Sequence, residues 1–284
     1  MTSQRVCFED WWEPSLYIKK KRVRTVDDQS SCTGTGSRER RAITTSTTAT
    51  LERAEAADIK RCARTDPKFF SCLRDAVQDT LPKLKNGLPK LGLPPLDPLL
   101  VSELRISQGD GPVGLNLVFK DLVTTGLLDN DKVYNTEIDL ENLTINATFL
   151  FPRAIATSNY TVNGRVLLLP VTGAGGSKVV LKDCTCKWHI QGKRIKKKDG
   201  KEYMDIQTTE IKMTPKKMEL QLDNLFGGDP RLGTTMNRVL NDNWELVYNE
   251  IGSSFEIAYA EVVRQHARSL FLHVPLDELF PEKL

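Results

Sequence analysis

The sequence predicts an α+β fold in which a long C-terminal helix is wrapped by a strongly curved antiparallel β-sheet, behind a disordered N-terminal tail. Three observations predict it. Residues 1–58 show no apolar period; from about Val101 to Leu222 apolar residues recur at every second position; from Leu232 to Leu270 they recur at every third or fourth.

The tail comes first. SCTGTGSRERR and the threonine-rich TTSTTAT (Thr44–Thr50) cannot bury enough apolar surface to offset their ordering entropy. Disorder is expected over 1–58, with a short helix near Leu51–Ala57. The basic run from Lys19 to Arg24 reads as a solvated charge cluster, with a nuclear import signal as the alternative. A second domain, 59–284, carries the fold. Its first element is a helix in which Phe69, Phe70, Leu73, Ala76, Val77, Thr80, Leu81 and Leu84 mark one face, opened by Asp66-Pro67 and ended by Gly87.

GLPKLGLPPLDPLL (Gly87–Leu100) follows. Its four prolines forbid a helix or a central strand, and its six leucines require an apolar surface. It is expected to lie extended across one end of the core. The period-2 region then reads as a meander of strands, in which Leu115, Leu117 and Phe119, then Leu143, Ile145, Ala147 and Phe149, then Tyr160, Val162 and Val166 face inward. Turns are expected at Asp129–Asp131, Ser158-Asn159, Gly173–Gly176, Asp199-Gly200 and Pro215. The closing helix, with Met236, Leu240, Trp244, Val247, Ile251 and Phe255 on its apolar face, would run for about 55 Å at 1.5 Å per residue. One other helix cannot cover it, so the sheet must curl around it.

The formal charge is +3, from 40 basic and 37 acidic residues, so charge argues for neither nucleic acid nor an acidic membrane. No window approaches the roughly 18 apolar residues of a membrane-spanning helix. The chain's start, MTSQRVCFEDWWEPSLYIKKK, lacks the pattern of a secretory leader. Three sequons at Asn142, Asn146 and Asn159 nevertheless favour export, and Asn142 and Asn146 share the outward parity of their strand.

At this point the residues carry a family. CARTDPKFFSCL from Cys62, GLPKLGLPPLDPL, and NLFGGDPRLGTTMNRVLNDNW from Asn224 to Trp244 closely resemble the takeout and haemolymph juvenile hormone binding proteins of insects. The resemblance spans about Ile59 to Leu284. It implies the TULIP-like α/β-wrap, an elongated apolar tunnel, and a secreted carrier of hydrophobic ligands, a group with several members under circadian control. It also implies a Cys62–Cys72 disulfide, which would restrain the unfolded chain by about 2–3 kcal/mol. Two departures stand out: the family's signal peptide would precede Ile59, where this chain has its polar tail, and the second disulfide of the hormone-binding branch finds no distant partner for Cys184 or Cys186 except Cys7 and Cys32 in the tail.

On the resemblance, the expected ligand is a long hydrophobic molecule, a juvenile hormone-like terpenoid, a fatty acid or another lipid. The expected contacts are Leu117, Phe119, Phe149, Tyr160, Val162, Met236, Leu240, Trp244, Val247, Ile251 and Phe255. No catalytic residue, cofactor or metal is expected, and the protein is expected to be an extracellular monomer that neither binds nucleic acid nor inserts stably into membranes. Cys184 and Cys186 would point to one face about 7 Å apart, too far for an easy bridge, with His189 on the opposite face and so unable to complete a zinc site. His266 and His273 read as helix-end residues. KWHIQGKRIKKKDGK from Lys187 reads as a solvated hairpin. The alternatives are a lipid-ester hydrolase working in the same cavity, although no G-x-S-x-G is present, and an intracellular interaction protein.

Overall fold

The computed structural model describes residues 5–13, 18–26, 60–89, 93–107, 113–129, 131–166 and 169–284. The chain divides into two units, Met1–Leu51 and Glu52–Leu284, whereas the sequence reading places the boundary at 58/59. In the first unit β1 (Arg5–Glu13) and β2 (Ile18–Val26) pair antiparallel, setting Glu9 opposite Arg22 and Asp10 opposite Lys21. Disorder is the expectation for these residues. The pairing opposes an acidic segment to a basic one, a relation that a search for apolar periodicity does not register. The threonine-rich tract and the expected helix at 51–57 lie outside the described residues.

The second unit opens with the Cys62–Cys72 disulfide, Cα atoms 5.8 Å apart, at the entry to α1 (Phe69–Leu84). The helix starts later than Pro67 because Asp66 forms a turn first, its carboxylate accepting from the Lys68 amide at 2.8 Å. It buries Phe69, Leu73, Ala76 and Leu81, while Phe70, expected on that face, is exposed.

The proline-rich run is not simply extended. Leu88 and Leu93 exchange backbone hydrogen bonds at 2.9 and 3.1 Å, closing a hook. Beyond it, Leu96 donates to Leu84 O, and the buried Asp97 carboxylate accepts from the amides of Gly126 and Leu128. Leu93, Leu96 and Leu99 are buried, as an apolar function for the run requires.

A seven-stranded antiparallel sheet follows, of β3 (Leu99–Ser107), β4 (Val113–Thr125), β5 (Lys132–Asp139), β6 (Thr144–Val166), β7 (Leu169–Lys196), β8 (Glu202–Thr214) and β9 (Lys217–Leu222). It is not a plain meander. β6 and β7, 23 and 28 residues long, form a spine; β5 and β4 pair with successive halves of β6, and β8 and β9 with different stretches of β7. Ser158-Asn159 and Gly173–Gly176, expected as turns, lie inside this spine. The glycines are there for clearance: a Cβ on Gly175 would stand 2.6 Å from Asp223 O, and one on Gly173 2.9 Å from the Tyr160 hydroxyl. The inward set of β6 also changes parity between Phe151 and Ala154, across Pro152, which has no amide to give the ladder.

The closing helix is two helices. Asp229 caps α2 (Pro230–Asp242), accepting from the amides of Arg231 and Leu232, with Pro230 in the first turn. Asn243 interrupts the helix at φ −111°, and α3 runs from Trp244 to His273. α2 is fastened to β9 by two side-chain amides one turn apart: Asn237 receives the Leu222 amide and donates to Leu222 O, each at 2.9 Å, and Asn241 does the same for Leu220 at 2.9 and 2.7 Å. The sheet curls about α3, with Phe119 fully buried 5.5 Å from Phe255, ring to ring. A short helix, α4 (Leu276–Leu279), covers the far end.

Candidate functional site

Among the described residues, four apolar voids follow one another along α3, of about 230, 50, 30 and 10 Å³. The first two share walls at Leu81, Leu96, Phe149, Trp188 and Val263; the second and third share Leu127, Phe151, Met213 and Tyr259; the third and fourth meet at Ile251. From Ile251 to Leu270 the series spans nearly 30 Å at 1.5 Å per residue. Phe149 and Trp188, ring centroids 4.5 Å apart, form the partition next to the largest void.

That void exists because small side chains meet there. Ala76 and Thr80 from α1, Thr136 from β5, Ala147 from β6 and Ala267 from α3 line it, with Leu93 of the hook, Leu96 just beyond the hook, and Leu279 and Phe280 beyond α3. Lys60, exposed, and His266 are the wall residues with ionisable side chains. His266 is not a helix-end residue: it lies within α3, Nδ1 2.8 Å from Val262 O and Nε2 3.1 Å from Pro94 O, so it ties the helix to the proline-rich run.

The expected ligand contacts fall differently along this series. Phe149 lines the two larger voids, and Ile251 and Phe255 the third. Leu117, Phe119, Val162, Leu240 and Val247 surround only the smallest, where large side chains fill the space. Tyr160 donates to Asp223 O at 2.7 Å and Trp244 lies under the Lys217 ammonium; they and the buried Met236 border none of the four. Periodicity identifies inward positions but not where inward side chains fall short of one another. A cluster of small residues on otherwise apolar faces, Ala76, Thr80, Ala147 and Ala267, is the signal that would have found the largest void.

Cys184 and Cys186 are buried free thiols on the inner face, lining the third and second voids. Burial pushes the Cys184 thiol up to about 11 and that of Cys186 to about 12, the latter opposed by the Trp188 indole N–H donating to Cys186 Sγ at 3.1 Å. Tyr259, buried, is raised to about 12 by desolvation, against its hydrogen bond with Thr124 at 2.8 Å. His189 lies on the outer face, bonded to Asn146 Oδ1 at 2.8 Å. Asn142, Asn146 and Asn159 are all exposed. The basic hairpin closes through Gly200 at φ 80°, and several of its cations are paired, Arg194 with Glu202 and Lys201 with Glu278, both at 2.5 Å. No helix among the described residues is long and apolar enough to cross a membrane.

A curled sheet around a long helix, with a chain of apolar voids between them, defines a protein of the helix-in-wrap class. The chain belongs to the haemolymph juvenile hormone binding protein (JHBP) family, whose model matches residues 42–281. It is 27% identical to Takeout 1 of Epiphyas postvittana, whose crystal structure superposes with a TM-score of 0.72 over 78% of this chain and all of that one. The circadian clock-controlled protein daywake of Drosophila melanogaster is 26% identical over 79% of this chain and 88% of its own length. A putative beta-carotene-binding protein of Schistocerca gregaria is 22% identical over 76% and 85%. The juvenile hormone-binding protein of Manduca sexta matches over 70 residues, at 37% identity, 25% of this chain and 30% of that one.

Proposed function

We propose that this protein is an extracellular carrier that holds a long hydrophobic small molecule, a terpenoid, fatty acid or other lipid, in the voids along α3. The observation that carries the reading is the 230 Å³ cavity, walled almost wholly by apolar side chains and continued beyond side-chain partitions by smaller voids. Burial of an apolar chain there is driven at about 25 cal/mol per Å² and needs few polar contacts. The names of the relatives, binding a carotene or juvenile hormone, point the same way. The disulfide and the exposed sequons suit an oxidising, secretory route. Clock control is part of the proposal through the daywake relative, and sampling the transcript around the day tests it.

Native mass spectrometry of the full chain should detect a co-purified apolar molecule, or one-to-one uptake of an apolar fluorescent probe after extraction. Ala147→Trp, which fills the cavity from β6, should lower probe affinity at least tenfold. An empty protein that takes up no probe would defeat the carrier reading. Ester hydrolysis is the less favoured reading, since both ring nitrogens of His266 face backbone carbonyls rather than a nucleophile. Ester turnover lost in His266→Gln would reverse that preference.

A further inference from the structure

One side chain at the large cavity lacks what its chemistry requires. Thr136 lines the cavity wall from β5 and is 5% exposed, and its hydroxyl oxygen has no hydrogen-bond partner among the described residues. The contrast with the other threonine of this wall is instructive. Thr80, on α1, gives its hydrogen to Ala76 O at 2.6 Å, the carbonyl one helical turn back. A strand has no carbonyl one helical turn back to take this hydrogen, and the residue opposite Thr136 on β6 is Ala147, which has no polar side-chain atom. Valine would fill the same volume without the cost of an unpaired buried hydroxyl. Threonine χ1 has staggered wells that exchange hydroxyl and methyl, so the group can turn toward an occupant of the cavity.

We infer that Thr136 is a specificity-determining residue for the cargo, which is therefore not a pure hydrocarbon but carries an oxygen acceptor (a carbonyl, ester, ether, epoxide or hydroxyl) that takes the Thr136 hydrogen. This rests on the carrier reading and deepens it. An unpaired hydroxyl in a mostly apolar cavity selects, because a ligand without the acceptor leaves it unpaired.

The test uses the full-length chain and a matched pair of probes: a long-chain methyl ketone and its isostere in which CH2 replaces the carbonyl oxygen. Each displaces an apolar fluorophore. The wild type should prefer the ketone by about 3- to 10-fold, the worth of one neutral hydrogen bond. Thr136→Val should bind both equally, with affinity for the isostere kept, and Thr136→Ser should restore the preference. Equal binding by the wild type, or a preference that survives in Thr136→Val, would overturn the assignment while leaving the carrier reading intact. Failure of the wild type to bind either probe or the fluorophore would overturn both. Because the wild-type comparison needs no variant, a valine substitution that fails to fold cannot shield the idea.

Discussion

Asn237 and Asn241 show how much one residue type in the right place does. Each presents an amide that both accepts from and donates to the backbone of β9, so two side chains on α2 stand in for a missing strand partner at Leu222 and Leu220. Replacing either with leucine leaves a backbone amide and a carbonyl unpaired, at a cost of about 1–3 kcal/mol. Asn241→Leu should lower the urea midpoint without changing the slope of unfolding; an unchanged midpoint would mean water replaces the amide freely. This pairing was not legible beforehand, since asparagines spaced by four look like any polar helix face until the strand beside them is known. Thr136 was equally hidden, because its interest comes from partners it does not have.

Among the elements, α1 walls one side of the large cavity and is held at its entry by the Cys62–Cys72 bridge and at its exit by Gly87 and the hook. Cys62→Ser with Cys72→Ser removes a restraint of about 2–3 kcal/mol. Hydrogen exchange should then quicken in α1 first, and apolar probe affinity should fall, while β6 and β7 keep their protection. Uniform loosening of the whole unit would show instead that α1 and the sheet open together. Helix and strand types were readable from period alone, whereas lengths were not. The β6–β7 spine was broken at Ser158-Asn159 and Gly173–Gly176 because turn-forming residues look alike whether they turn a chain or clear space for Asp223 and Tyr160. The helix break was missed for the reverse reason: Asn243 interrupts it without glycine or proline.

For the molecule as a whole, the interior holds acids that must stay protonated. Cys184 is raised to about 11, and Cys186, Tyr160 and Tyr259 to about 12, chiefly by burial. In the unfolded chain the same groups ionise near about 8.5 for cysteine and about 10 for tyrosine. Between those values and their folded ones the unfolded state has lost protons that the folded state keeps, so stability falls as pH rises. Denaturation midpoints should drop between about pH 8 and about pH 10.5, with Cys186→Ala flattening part of the slope. A level profile would place these groups in contact with water. The architecture was the most legible level, because three motifs in fixed order carry a fold; the cavity was the least, because it is set by volumes that do not meet.

That unmet volume has a consequence for the life of the protein. An unfilled void weighs against the native state at about 24 cal/mol per Å³, so 230 Å³ left empty forgoes about 5 kcal/mol of packing, a large share of the margin by which a domain of this kind resists unfolding. On the carrier proposal, cargo that fills it would stabilise the folded chain as well as gain shelter. Empty chains would then be the ones that proteases reach first, and the half-life of the carrier would report how much of it is loaded.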